Sequence, residues 1–152
     1  MSINGKAYIA GIYEHPTRLA KDISLAQIHA QVAKGALEDA GLSKDDPRVQ
    51  SAVRWIRAHY TLEENPGMGQ AGLYYYYHTF AKAMTALGED QFEDARKVKH
   101  DWRKELLEAL KKRQRADGSF VNKGDRAFGE GDPNLATAFA LLTLSYLKTP
   151  AK

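Results

Sequence analysis

Apolar residues recur at the spacing of an α-helix in four segments of the chain after Asp46. The first and third segments are amphipathic, whereas the second and fourth, LYYYYHTF and LATAFALLTLSYL, are apolar on nearly all sides. This pattern predicts helices near residues 47–60, 72–87, 102–115 and 133–147. No strand pattern is visible in this part of the chain, and we expect it to consist of helices joined by glycine-rich turns.

Two of these helices begin with the same signal, an aspartate followed by a proline. Asp46 precedes Pro47 and Asp132 precedes Pro133, and these residue types favour the N-cap and the first helical position. Gly88 is a typical residue to end the second helix. An amphipathic helix, a turn and an apolar helix therefore occur twice, which predicts two helical hairpins of similar architecture.

Four consecutive tyrosines lie in the second predicted helix. Because successive side chains of an α-helix are rotated by about 100°, these tyrosines point in nearly all directions around the helix. We therefore expect neighbouring elements to enclose this helix, with the rings packed and the hydroxyl groups hydrogen-bonded at an edge. The fourth predicted helix is apolar all round, and we expect it to be enclosed as well.

The first part of the chain has a different pattern. Residues 6–13, KAYIAGIY, form a short apolar run that is typical of a buried strand. Ser24 and Gln27 then have the spacing of a capping box, which predicts an amphipathic helix over residues 24–40. Its apolar stripe consists of Leu25, Ile28, Val32, Ala36 and Leu37.

Composition favours a folded, soluble protein, because 43% of the residues are hydrophobic and 27% are charged. An apolar run of about 18 residues, which a membrane span needs, is absent, and we expect no membrane contact. The N-terminal residues lack the pattern of a secretory signal, so we expect a cytoplasmic protein. The net charge is +3, and its densest basic run, KKRQR, is typical of a solvated helix face rather than of a nucleic-acid site.

The chain has no cysteine, which excludes disulfides, thiolate metal sites and cysteine nucleophiles. Its five histidines do not have the H-x-x-x-H or H-E-x-x-H spacing of a metal site. No glycine-rich phosphate-binding motif follows a strand. The sequence therefore predicts neither a metal nor a cofactor. The histidines are His15, His29, His59, His78 and His100.

Residues 6–46, including YEHPTR and AKGALEDAGL, resemble the N-terminal strand and first helix of thiolase-superfamily acetyl-CoA acetyltransferases. That family uses a cysteine nucleophile, which this chain lacks. His15 does not match the family's catalytic histidine motif. The resemblance therefore implies an acyl-CoA-related segment, residues 1–46, without catalytic residues.

Residues 47–152 are similar to the α/α-toroid repeats of the squalene-cyclase and prenyltransferase superfamily, whose members are terpenoid cyclase-like. The similarity rests on PGMGQAGLYYYYHTF, DPNLATAFALLTL and KKRQRADGSFVN. Gln114, Gly118 and Phe120 match the repeat motif Q-x-x-x-G-x-W, with phenylalanine in place of tryptophan. This resemblance implies that Gln114 braces a helix end and that Phe120 stacks against the neighbouring repeat. The Asp-rich acid motif of the cyclases and the cysteine of the prenyltransferase zinc site are absent.

Together these patterns predict a mainly α fold: two helical hairpins of an incomplete α/α toroid, preceded by a short strand and one amphipathic helix. Because residues up to Asp46 resemble one family and the following residues another, the chain suggests a fusion of two segments. Two hairpins leave apolar flanks, and either the helix over residues 24–40 or a second copy of the chain would cover them. In the second case we expect the chain to self-associate.

Three functions remain open from the sequence. The missing nucleophile, acid motif and zinc set favour a non-catalytic helical repeat that serves structure or interaction. Alternatively, the aromatic residues of the tyrosine helix line a pocket for a hydrophobic, isoprenoid-like ligand, as in a partial cyclase, or a tyrosine acts with His78 or His59 in acid–base chemistry. The third function is the acyl-CoA-related role that the resemblance of residues 1–46 to thiolases implies. The residues of this predicted pocket are Tyr74, Tyr75, Tyr76, Tyr77, His78 and Phe80.

Overall fold

The computed structural model describes residues 31–32, 34–36 and 44–148 of the chain. Most of the predicted helix over residues 24–40, and the whole of the predicted strand over residues 6–13, lie outside this part, although residues 31–32 and 34–36 are helical. The remaining elements are four helices and a small sheet. They are α1 (Pro47–His59), α2 (Leu73–Leu87), β1 (Phe92–Glu93), β2 (Lys99–His100), α3 (Trp102–Arg113) and α4 (Pro133–Leu147).

The prediction of a mainly α fold is confirmed, and each of the four helices lies within two residues of its predicted bounds. Helices α1 and α4 begin at aspartate N-caps, as predicted. The carboxylate of Asp46 accepts a hydrogen bond from the Arg48 N–H at 2.8 Å, and that of Asp132 accepts one from the Asn134 N–H at 2.8 Å. Both helices have proline in the first turn. Gly88 ends α2 in the left-handed conformation, with φ 68°.

The prediction that no strand follows residue 46 is wrong for the connection between α2 and α3. There β1 and β2 pair antiparallel, with Phe92 opposite His100. The turn between them is held by Asp94, whose carboxylate accepts hydrogen bonds from the N–H groups of Arg96 at 2.8 Å and Val98 at 2.9 Å. Strands of two residues are too short to show an alternating pattern, which is why the sequence did not predict them.

The core lies among α2, α3 and α4. Helix α4 packs along α2 and also contacts α3. Trp102 at the start of α3 is fully buried, and its indole N–H donates to the backbone oxygen of Glu89 at 2.7 Å. None of the described helices is long and apolar enough to cross a membrane. The principal core residues are Leu73, Tyr74, Tyr77, Phe80, Met84, Phe92, Trp102, Leu106, Leu110, Phe120, Ala136, Ala140 and Tyr146.

The prediction that neighbours enclose both apolar helices on all sides is wrong, because each has an open side. On α2, Tyr74 and Tyr77 are buried, whereas Tyr75 is 45% exposed. On α4 the small residues face the core, and Leu141 on the opposite side is 59% exposed. An apolar helix needs neighbours around its whole circumference to be enclosed, and the described elements provide them on one side only.

Candidate functional site

Helix α2 begins without a cap of its own. Its N-cap residue is Gly72, with φ 66° and no side chain that could accept from the first N–H groups. Instead, the fully buried carboxylate of Glu130 accepts hydrogen bonds from the N–H groups of Tyr74 at 3.1 Å and Tyr75 at 2.7 Å. A residue 55 positions away from Tyr75 therefore satisfies the free donors at this helix end. The arrangement also suits the helix dipole, since the N-terminus attracts negative charge.

The loop between α3 and α4, which contains Glu130, is held against the start of α2 by a second carboxylate, that of Asp125. This carboxylate accepts from the N–H groups of Gly72 at 3.2 Å, Phe128 at 3.1 Å and Glu130 at 2.7 Å. Burial raises the pKa of Asp125, but these hydrogen bonds to its charged form outweigh burial and lower the pKa overall. The loop before α4 is thus held in one place against the first turn of the tyrosine helix.

This loop brings aromatic rings from two helices together at the surface. The rings of Phe128 and Tyr75 stack, with centroids 6.2 Å apart and planes at 10°. Tyr75 also contacts Phe139 of α4 edge to face, at 5.6 Å. The neighbouring ring of His78 stacks on Phe139 at 6.2 Å. Residues of α2, of the loop and of α4 therefore form one continuous aromatic surface.

The apolar surface continues along α4. Leu135, Phe139 and Leu142 follow one another at i, i+4 and i+7, so they lie on one side of the helix. Leu142 is 38% exposed and Phe128 is 40% exposed. The sequence of α4, PNLATAFALLTLSYL, contains no charged residue. We call this surface the outer face; it consists of Tyr75, Phe128, Leu135, Phe139 and Leu142.

The residues of the predicted pocket lie in different parts of the structure. Tyr74, Tyr77 and Phe80 are buried in the core, while Tyr75 lies on the outer face. Tyr76 is half-buried, and its hydroxyl donates to the backbone oxygen of Thr61 at 3.0 Å. These rings fill space between helices, as residues of a packed core do.

The hydroxyl groups of the tyrosine helix also have structural partners. Burial raises the pKa values of both Tyr76 and Tyr77 above the ordinary range, so both phenols stay protonated at neutral pH. The Tyr77 hydroxyl donates to the backbone oxygen of Leu62. The His59 ring stacks on Trp55, with centroids 4.6 Å apart, and lies in α1 rather than in the tyrosine helix. A phenol that holds its proton this firmly and donates it to the backbone is suited to packing rather than to acid–base chemistry.

The three residues of the repeat motif lie around the end of α3. Gln114 is the C-cap of that helix, and its side-chain amide donates to the backbone oxygen of Gly118 at 3.1 Å. Phe120 is buried and contacts Tyr74 edge to face, at 5.7 Å. Gln114 therefore stabilises the turn after α3, and Phe120 connects this turn to the tyrosine helix.

Most of the outer face and both anchoring carboxylates were not predicted from the sequence. Asp125 and Glu130 belong to none of the motifs considered in the sequence. Both accept from backbone N–H groups at the start of α2, more than fifty positions away, and no local pattern reveals such contacts. One signal for the face was present: a helix of 15 residues without a charged residue, in a chain that is 27% charged.

No protein-family model matches this chain, and neither a curated protein nor a solved structure matches it.

Proposed function

We propose that this chain is a non-catalytic helical repeat module, built as a fragment of an α/α toroid, that functions by association through its outer face. The observation that carries the proposal is the continuous apolar surface from Phe128 through Tyr75 to the exposed leucines of α4. Exposed apolar patches of this kind mark interaction sites in folded proteins. Aromatic residues, which are enriched at protein interfaces, form its centre.

Two packing contacts support the toroid part of the proposal. The apolar helices α2 and α4 occupy equivalent positions in the two predicted hairpins, and they pack against each other. Phe120, in the aromatic position of the repeat motif, contacts Tyr74 of the other hairpin. Contact between equivalent elements of successive units is what a stacked repeat requires.

We propose a second copy of the chain as the occupant of the outer face. Helix α4 has 15 residues and is therefore about 22 Å long, which gives a second helix room to pack along it. The absence of charge on α4 lets two identical faces meet without like-charge repulsion. Two-fold pairing of identical surfaces is also the commonest form of closed assembly.

The test is the sedimentation of three proteins over a range of concentrations. We expect the wild-type chain to dimerise and Leu142→Glu to remain monomeric, because the new carboxylate would be buried without a partner in the dimer. The matched control is Met68→Glu, at a residue that is 51% exposed and lies in the turn before α2. The control should dimerise like the wild type, and circular dichroism should show the same helix content in all three.

A wild-type chain that stays monomeric at every concentration would contradict the dimer. In that case Ile28→Asp tests the other alternative, the predicted helix over residues 24–40. If this change unfolds the monomer at a cost of several kcal/mol, the predicted helix over residues 24–40 caps the helical repeats instead of a second copy. If neither Ile28→Asp nor Leu142→Glu changes assembly or stability, association through the outer face is wrong altogether.

A further inference from the structure

A groove of about 610 Å3 lies apart from the outer face. One wall is the segment that leads from α1 to α2, the other wall is the turn and second strand of the β-hairpin, and the floor is one side of α3. Along this side charged residues recur at intervals of three or four positions, as they must to share a helix face. The lining residues include Tyr60, Glu63, Arg96, Lys99, His100, Lys104, Glu105, Glu108 and Lys112.

The deepest polar groups of the groove form a connected cluster. The Tyr60 hydroxyl donates to Glu105 at 3.0 Å, and Nδ1 of His100 lies 3.0 Å from the same carboxylate. On its other side the His100 ring has Nε2 3.5 Å from the Asp94 carboxylate. Burial and the neighbouring Glu105 charge raise the pKa of Tyr60 above its ordinary range, so this phenol remains a donor.

The other carboxylates that line the groove also have partners. Glu63 forms an ion pair with Arg113 at 3.1 Å. Glu108 pairs with Lys111 at 2.7 Å, and Asp101 caps α3 by accepting from the Lys104 N–H at 3.1 Å. The negative charges of the groove are therefore held by groups of the protein itself.

The lysines of the groove have no such partners. Within the described part of the chain, the ammonium groups of Lys99, Lys104 and Lys112 make no ion pair and no hydrogen bond, and all three side chains are exposed. Lys104 and Lys112 lie eight positions apart on α3, which separates them by about 12 Å along the helix. A ligand with two separated anionic groups matches this spacing without drawing the two side chains together.

We propose that this groove binds a compact polyanion, a ligand with at least two separated phosphate or carboxylate groups, through Lys99, Lys104 and Lys112. Free ammonium groups around a groove attract anions over several ångströms and form charge-assisted hydrogen bonds on contact. None of the lining carboxylates forms an ion pair with these three lysines: Glu63 and Glu108 pair with other basic side chains, and Asp101 and Glu105 are held by hydrogen bonds. This site is independent of the outer face, which contains none of these residues.

The proposal is tested by calorimetric titration of the full chain at low salt with two probes, inorganic tripolyphosphate and tricarballylate. The variant carries Lys99→Gln, Lys104→Gln and Lys112→Gln together. We expect the wild type to bind at least one probe, and the variant to bind it about tenfold more weakly or worse, since charge-assisted hydrogen bonds are lost. Because the three lysines are exposed and unpaired, circular dichroism of the variant should match that of the wild type.

The matched control carries Lys82→Gln, Lys123→Gln and Lys148→Gln, which lower the net charge by the same amount at positions outside the groove lining. This control should retain the wild-type affinity. Binding of tripolyphosphate alone assigns a phosphate ligand, binding of tricarballylate alone assigns a carboxylate ligand, and binding of both supports their shared chemistry. If neither probe binds, or if the control loses as much affinity as the groove variant, the proposal is overturned.

Discussion

Gly72 is the residue at which the backbone and a close neighbour both require the absence of a side chain. Its φ is 66°, a left-handed conformation, and a Cβ atom there would lie 2.9 Å from Cδ2 of Phe128. Gly69, three positions earlier, has a similar φ of 59° with open space around it. The two glycines therefore differ mainly in the contact with Phe128.

This difference gives the first prediction. We expect Gly69→Ala to lower the free energy of unfolding by about 1 kcal/mol, the cost of a side chain in the left-handed conformation. We expect Gly72→Ala to cost about 1–2 kcal/mol more, because the methyl group overpacks against the Phe128 ring. Denaturant unfolding measures both costs, and an NMR contact between Phe128 and Tyr75 should be lost in Gly72→Ala alone. Equal losses in the two variants would show that the ring moves aside freely.

A second residue-scale prediction concerns Glu130. In Glu130→Gln the amide NH2 group would replace one of the two oxygens that accept from the N–H groups of Tyr74 and Tyr75. One buried donor then loses its acceptor, and we expect the free energy of unfolding to fall by about 2–3 kcal/mol. The control is Asp132→Asn at the start of α4, where the side chain accepts a single bond and asparagine caps equally well. An equally small effect of both variants would contradict the anchoring role of Glu130.

At the scale of elements, the β-hairpin between α2 and α3 depends on one carboxylate. Hydrogen bonds from the Val98 and Arg96 N–H groups hold the pKa of Asp94 down at about 2, although burial opposes this shift. Because the pKa is lower in the folded than in the unfolded chain, Asp94 stabilises the hairpin above the ordinary pKa of 3.8. That stabilisation is lost as the pH falls through the interval between the two values.

We therefore expect the hairpin to open in acid. Protection of the Val98 N–H against hydrogen exchange should fall as the pH is lowered from about 4 towards 2, after correction for the intrinsic exchange rate. In Asp94→Asn this step should disappear. Asp46 also has a pKa of about 2, but it titrates at the start of α1 and should leave the Val98 signal unchanged in Asp46→Asn. A Val98 signal that is flat across this interval in the wild type would refute the role of Asp94.

The elements differ in how far the sequence could predict them. The helices were predictable because their apolar spacing and their Asp–Pro starts act within a few residues. The hairpin was not, since its two strands have two residues each. The hydrogen bonds from the first N–H groups of α2 to Asp125 and Glu130 could not be predicted either. These groups come together only when α4 packs against α2. The open side of α4 was mistaken for a buried one because apolar composition alone does not distinguish a core from an interface.

At the scale of the whole molecule, the described helices present two surfaces of opposite character. The outer face is formed by α2, α4 and the loop between α3 and α4, whereas the lysine groove is formed by α3, the hairpin and the segment before α2. Since the two surfaces share no residue, their tests are independent. Leu142→Glu should leave the affinity for polyanions unchanged, and the groove variant should leave the sedimentation behaviour unchanged.

The dependence of α2 on Glu130 and Asp125 has a consequence for biosynthesis. A ribosome releases the chain from its N-terminus, so the tyrosine helix emerges before the two carboxylates that complete its first turn. Until residue 130 has left the exit tunnel, the N–H groups of Tyr74 and Tyr75 have only water as acceptors, and the aromatic rings lack α4 as a neighbour. We therefore expect the nascent tyrosine segment to expose apolar rings that chaperones recognise during translation.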